Sequence, residues 1–145
     1  MTEHIDGTFE ITSWDEKPYL ELAGERKFTR AAITQRIAGA GARQVGPAGA
    51  GIEGEMTSES LMFYPGDGSA TYTGYGNVTG RIGRREGTFV VQIGGEFDGT
   101  VARSVFTVVA GSGTGDLAGL RGEFTSDSTQ ADYPSPRYAF AYDIE

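Results

Sequence analysis

Residues 88–110 read TFVVQIGGEF (Thr88–Phe97), then Asp98-Gly99, then TVARSVFTVVA (Thr100–Ala110). β-Branched and aromatic residues fill both arms. The Asp-Gly between them suits a two-residue primed turn, whose central positions need positive φ. The stretch therefore reads as a β-hairpin with long arms.

The same grammar extends in both directions. Upstream, Ser69–Ile82 enters the hairpin through a tight turn near Arg84–Gly87, and Ile52–Tyr64 enters Ser69–Ile82 through Pro65-Gly66-Asp67-Gly68. Lys27–Ala38 and His4–Trp14 lie further upstream; Gly119–Ser126 and Arg137–Ile144 follow downstream. The sum is about eight strands, with helical signal confined to a turn at Asp116-Leu117-Ala118. Glycine, 23 of 145 residues, punctuates these runs without period, as it does where strands bend or turn. Long strands joined by tight hairpins predict an all-β, antiparallel, up-and-down barrel of lipocalin-like kind, in which closure removes exposed edges. A β-sandwich is the alternative. The length suits one domain, 1–145.

Composition narrows the chemistry. A formal net charge of −8 disfavours nucleic acid and anionic membrane surfaces as partners. With no cysteine and one histidine, His4, the chain can build neither a thiolate site nor a multi-histidine metal site, so no metal and no cofactor are expected. The start, Met-Thr-Glu-His-Ile-Asp, lacks the pattern of a signal peptide, and no apolar run approaches the roughly 20 residues that span a bilayer. A soluble, cytoplasmic protein is expected.

Two stretches read as long loops, Asp15–Arg26 and Gly39–Gly51. The second is either a plain Gly/Ala insert or a flap over a barrel mouth. The run Gly111-Ser-Gly-Thr-Gly-Asp116 hints at a phosphate cradle, but it joins antiparallel strands rather than opening a helix, and it carries an acid. Glu53, Glu55 and Glu59 share one strand face, read as barrel exterior for the first two and left open for Glu59. Glu10 shares a face with Thr12 and Trp14. If that face points inward, an apolar lumen holds one carboxylate with a raised pKa; if outward, Glu10 is an ordinary strand acid, paired to an arginine such as Arg36 or Arg103.

Several of these segments resemble allene oxide cyclase-like barrels and the related dirigent barrels: Phe9-Glu10-Ile11-Thr12 running on to Pro18-Tyr19-Leu20, the segment Gly111–Gly122, and the aromatic end Tyr138-Ala-Phe140-Ala-Tyr142. Gly-Thr-Phe-Glu, Ser-Trp-Asp-Glu and Gly-Ser-Gly-Thr-Gly-Asp-Leu-Ala-Gly-Leu-Arg-Gly bring the chain closer still to an uncharacterised bacterial family of that superfamily. The resemblance implies Glu10 as the lumenal catalytic glutamate, Thr12 at the position of a cyclase asparagine, and Pro18 as a pocket-lining proline. Function transfers less readily than fold.

Three functions follow as expectations. The first is a cofactor-independent cyclase or isomerase acting on an apolar metabolite of polyene or polyketide type, in secondary metabolism. Glu10 would be catalytic, and Thr12, Trp14, Pro18, Tyr64, Tyr72 and Phe89 would shape the substrate site. The second is a non-catalytic barrel that carries an apolar small molecule. The third is a structural homo-oligomer, dimer or trimer, with a barrel filled by its own side chains.

Overall fold

The computed structural model describes residues 2–41 and 51–144. They form eight strands: β1 (Glu3–Glu21), β2 (Lys27–Gly41), β3 (Ile52–Tyr64), β4 (Ala70–Ile82), β5 (Arg85–Phe97), β6 (Val101–Val108), β7 (Leu120–Thr129) and β8 (Arg137–Ile144). Each pairs antiparallel with the next, and β8 pairs with β1, so the sheet closes into a barrel. Short 3₁₀ turns at Ala23–Glu25, Gly115–Leu117 and Gln130–Asp132 are the helical elements among the described residues.

The hairpin forms, but its two central residues are Gly99 and Thr100 rather than Asp98 and Gly99: Phe97 pairs with Ala102, and the Asp98 N–H donates to the Val101 carbonyl at 3.2 Å. Gly99 takes φ 100°, and the Asp98 carboxylate accepts the backbone N–H of Thr100 at 2.9 Å and of Val101 at 2.8 Å. Those backbone bonds, with Arg103 behind them, hold the Asp98 carboxyl below the usual carboxylate range.

Period-2 alternation sets the wall. Ile52, Met56, Ser58, Ser60 and Met62 of β3 point inward, while Glu53, Glu55 and Glu59 are exposed. Outside, Glu53 pairs with Arg81 at 3.0 Å and Glu59 with Arg30 at 3.7 Å, so all three acids lie on the exterior.

β1 departs from this alternation, and from expectation. Its register slips between Ile11 and Ser13 and again between Pro18 and Leu20. Before the first irregularity the odd residues Ile5 and Phe9 are buried; after it Trp14 stands opposite Ile33 and Glu16 opposite Ala31, both inward rows of β2. A β-bulge of this kind adds one residue and swaps the faces beyond it. Asp15–Glu21, expected as loop, is therefore strand, and only the short connection to Lys27 turns the chain.

One half of the barrel is solid. Phe124 stacks on Phe140 at 3.8 Å between centroids and meets Phe9, Phe106 and Tyr138 at 5.9, 6.4 and 5.2 Å. Ile5, Ile37, Ile52, Val78, Ile82 and Leu120 fill the space below, and Leu117 closes it. Close backbone approach at this end depends on Gly7 and Gly39, which face each other across β1 and β2. A Cβ on Gly7 would strike the Ala38 carbonyl and sit 2.6 Å from Gly39 Cα and 2.7 Å from the Tyr138 hydroxyl. That hydroxyl donates to the Ala38 carbonyl at 3.1 Å.

Candidate functional site

The other half of the barrel is hollow. A cavity of about 340 Å³ opens toward the end that carries the connections at 22–26, 65–69, 98–100 and 130–136. Its apolar wall includes Phe9, Ile33, Met62, Ile93, Phe97 and Phe106; its polar lining is Gln35, Ser58, Ser60, Ser104, Ser126 and Ser128, with Trp14, Tyr64 and Tyr72. No lining residue carries a formal charge. A wider depression of about 760 Å³ on the outer wall, between Arg36, Glu53, Arg81 and Glu86, is charged surface open to solvent and lacks this enclosure.

At the mouth the bulge in β1 brings a carboxylate to the inner side. Glu16 accepts the indole N–H of Trp14 at 3.0 Å, the hydroxyl of Thr29 at 2.7 Å and the phenol of Tyr64. Burial pulls its pKa up, but the three donors, with the Lys27 ammonium nearby, prevail and hold it below the ordinary value of 4.5. Tyr64 shifts the opposite way: burial, then the hydrogen bond to Glu16 and its charge, push the phenol up to about 12. Lys27 Nζ lies 5.1 Å from the Tyr64 ring centroid, within cation–π range. The cluster is an ionised Glu16 and a neutral Tyr64, with Trp14 and Tyr64 presented to the cavity.

Deeper in the lumen most hydroxyls already have partners. Ser126 donates to the Arg137 carbonyl at 2.6 Å, Ser58 to that of Ile33 at 3.4 Å, and Ser104 and Tyr72 bond to each other at 2.5 Å.

The expected site residues separate accordingly. Trp14, Tyr64 and Tyr72 line one cavity. Phe89 is inside the barrel but in its solid half, fully buried and stacked on Phe124 at 6.4 Å. Pro18 is exposed and lies outside the cavity lining. Thr12 is exposed at the bulge, its hydroxyl bonded to that of Thr34 at 2.8 Å. The expectation of a lumenal Glu10 is corrected. It precedes the bulge and alternates with the buried Ile5 and Phe9, so it lies on the outer face, half exposed and bonded to Arg36 at 2.9 Å. Glu16, Gln35, Ser58 and Ser60 were missed. The signal for Glu16 was the change from odd to even apolar positions between Ile11 and Trp14; that for Gln35 was a polar residue in the row Ala31, Ile33, Ile37.

The expected flap falls largely on residues 42–50, outside the described residues. Its flanking pair, Gly39 and Ile52, belongs to the solid end, opposite the cavity mouth. Among the described residues no group of three or more His, Cys, Asp or Glu side chains could hold a metal, and no helix is long and apolar enough to cross a membrane.

Fold and site together define a class: a closed, up-and-down antiparallel barrel, solid at one end and hollow at the other, with an uncharged lumen. Within that class the chain belongs to the DUF3224 family of proteins of unknown function, whose pattern it matches over residues 5–142. The crystal structure of a DUF3224 protein of unknown function from Shewanella oneidensis MR-1 is similar, with TM-score 0.77 and 25% identity, over 100% of this chain and 98% of that one. No curated protein matches the chain.

Proposed function

We propose that the protein binds a small, uncharged, largely apolar molecule in the hollow half of its barrel. The observation that carries this reading is the division of the lumen: aromatic side chains fill one half to contact, while the other keeps a cavity of about 340 Å³ lined by aromatic, aliphatic and hydroxyl groups. That volume is within the usual range for small-molecule sites, as is an apolar wall with a few placed polar groups. Burying apolar ligand surface contributes roughly 25 cal/mol per Å², so even a compact ring system gains appreciably.

The direct test is native mass spectrometry after equilibration with a mixed metabolite extract. Wild-type protein should retain discrete small-molecule mass increments. Ala102→Phe, which places a ring among the cavity-lining residues, should lose them while remaining folded. Equal retention by both proteins would refute lumenal binding.

A cyclase or isomerase is the second reading, and Glu16 favours it. A carboxylate held ionised beside the cavity offers one fixed negative charge, and ring closure or isomerisation conserves every atom and so needs no co-reactant. Orientation alone can contribute roughly 7–11 kcal/mol in favourable cases. The likeness to allene oxide cyclases supports this reading less than their motif suggests, because Glu10, the residue it singles out, pairs with Arg36 on the outer wall. Loss of turnover in Glu16→Gln with binding retained would distinguish catalysis from carriage.

A further inference from the structure

We infer that the lumenal ligand carries a neutral hydrogen-bonding pair, a carboxamide or lactam, seated on Gln35. This rests on the binding reading above and specifies its ligand class.

Gln35 is 7% exposed and Ser60 6% exposed, and both line the cavity. Among the described residues neither side chain hydrogen-bonds to another protein group, nor does that of the less buried Ser128, unlike Ser58, Ser104, Ser126, Tyr64 and Tyr72 around them. Their polar atoms are open to the cavity, where water can bond them, and a ligand that displaces that water without replacing its hydrogen bonds loses affinity. These groups, Gln35 above all, therefore mark where a bound molecule gains by supplying partners. Gln35 brings a carbonyl acceptor and an amide donor on one planar group. A carboxamide or lactam matches it donor to acceptor and acceptor to donor; Ser60, opposite Ala31 where Gln35 is opposite Met56, lies four residues along the wall.

Charge excludes the neighbouring classes. The lining holds no Lys or Arg to pair a carboxylate, and the protein's formal charge is −8. A ligand cation would have only Glu16, whose carboxylate already accepts from Trp14, Thr29 and Tyr64. Burying an unpaired charge is far costlier than burying an amide.

The test uses the neutral fluorophore N-phenyl-1-naphthylamine as lumenal probe and four displacers of nearly one shape: 2-methylnaphthalene, 2-naphthamide, 2-naphthoate and 2-naphthylmethylammonium. On wild-type protein the amide should displace the probe at about tenfold lower concentration than the hydrocarbon, as one or two net hydrogen bonds imply. The two ions should be weaker than the amide. Gln35→Leu, similar in length and unable to hydrogen-bond, should abolish the amide's advantage while the probe still binds. Gln35→Met, likewise unable to hydrogen-bond as an amide, serves if Gln35→Leu does not fold, and Ser60→Ala should leave the advantage in place. A bound probe with amide and hydrocarbon equal, with an ion strongest, or with the amide's advantage intact in a folded Gln35 variant, overturns the ligand class and leaves lumenal binding standing. No binding of the probe or of any displacer overturns both.

Discussion

Glu10 and Glu16 occupy positions of equal parity on one strand, yet their carboxylates lie on opposite faces of the barrel wall. Glu10 meets Arg36 outside at 2.9 Å, and Glu16 meets Trp14, Thr29 and Tyr64 at the mouth of the lumen. The slip in register between Ile11 and Ser13 separates them.

Glu10→Gln should therefore leave ligand binding unchanged. Its ion pair is solvent-exposed on both sides, so the loss of stability should fall within about 0–1 kcal/mol, read from urea midpoints. A large loss of lumenal affinity in this variant would contradict the outward placement.

Glu16→Gln should change the acid limb of stability. Its folded pKa lies below 4.5, so the unfolded chain takes up its proton first as pH falls. The stabilisation is complete above the unfolded value and is lost as pH drops through the folded one. Urea midpoints at a series of pH values should show the wild-type advantage over Glu16→Gln shrinking below about pH 4.5. A gap independent of pH would mean that the donors do not favour the charged form.

Tyr64 governs part of the alkaline limb. With the folded phenol raised to about 12 from 10.0, the native state keeps a proton that the unfolded chain releases, so stability falls as pH rises across that interval. Tyr64→Phe should shallow this slope. It should not abolish it, because burial raises Tyr72, Tyr138 and Tyr142 as well. An unchanged slope would count against the Glu16–Tyr64 bond.

Two glycines of β1 and β5 make a contrasting pair. Gly7→Ala forces a Cβ against the Ala38 carbonyl and the Gly39 backbone, which cannot move as a side chain can; destabilisation of about 1–3 kcal/mol or more is expected. Nothing lies within 4 Å of a Cβ on Gly94, so Gly94→Ala should be neutral or stabilise by up to about 1 kcal/mol. Similar denaturation midpoints for the two variants would contradict the close approach of β1 and β2 at Gly7 and Gly39.

The barrel was legible because the hairpins announce themselves. Asp98-Gly99 and the alternation of Ile52–Tyr64 identify turn and inner face from side-chain chemistry alone. The site was less so, since its carboxylate depends on a bulge. Up to Ile11 the apolar residues of β1 are odd-numbered, and extending that period to Trp14 assigns Glu10 the face that Glu16 takes. Pro18 and the charged run Asp15-Glu16-Lys17 then read as loop, although pairing with β2 holds them in the sheet. Trp14, Tyr64 and Tyr72, named as aromatics that shape the site, do line the cavity; Phe89 was misplaced within the lumen because strand parity gives a face but not a depth.

Lumenal binding is tested most directly through Trp14, the only tryptophan in the chain and a residue of the cavity wall. Its emission, excited selectively, should be quenched saturably by N-phenyl-1-naphthylamine through energy transfer, and the quenching should disappear in Ala102→Phe while that variant still melts cooperatively. Unchanged Trp14 emission in wild-type protein up to the solubility limit of the probe, or the same saturable quenching in Ala102→Phe, would contradict a ligand-binding lumen.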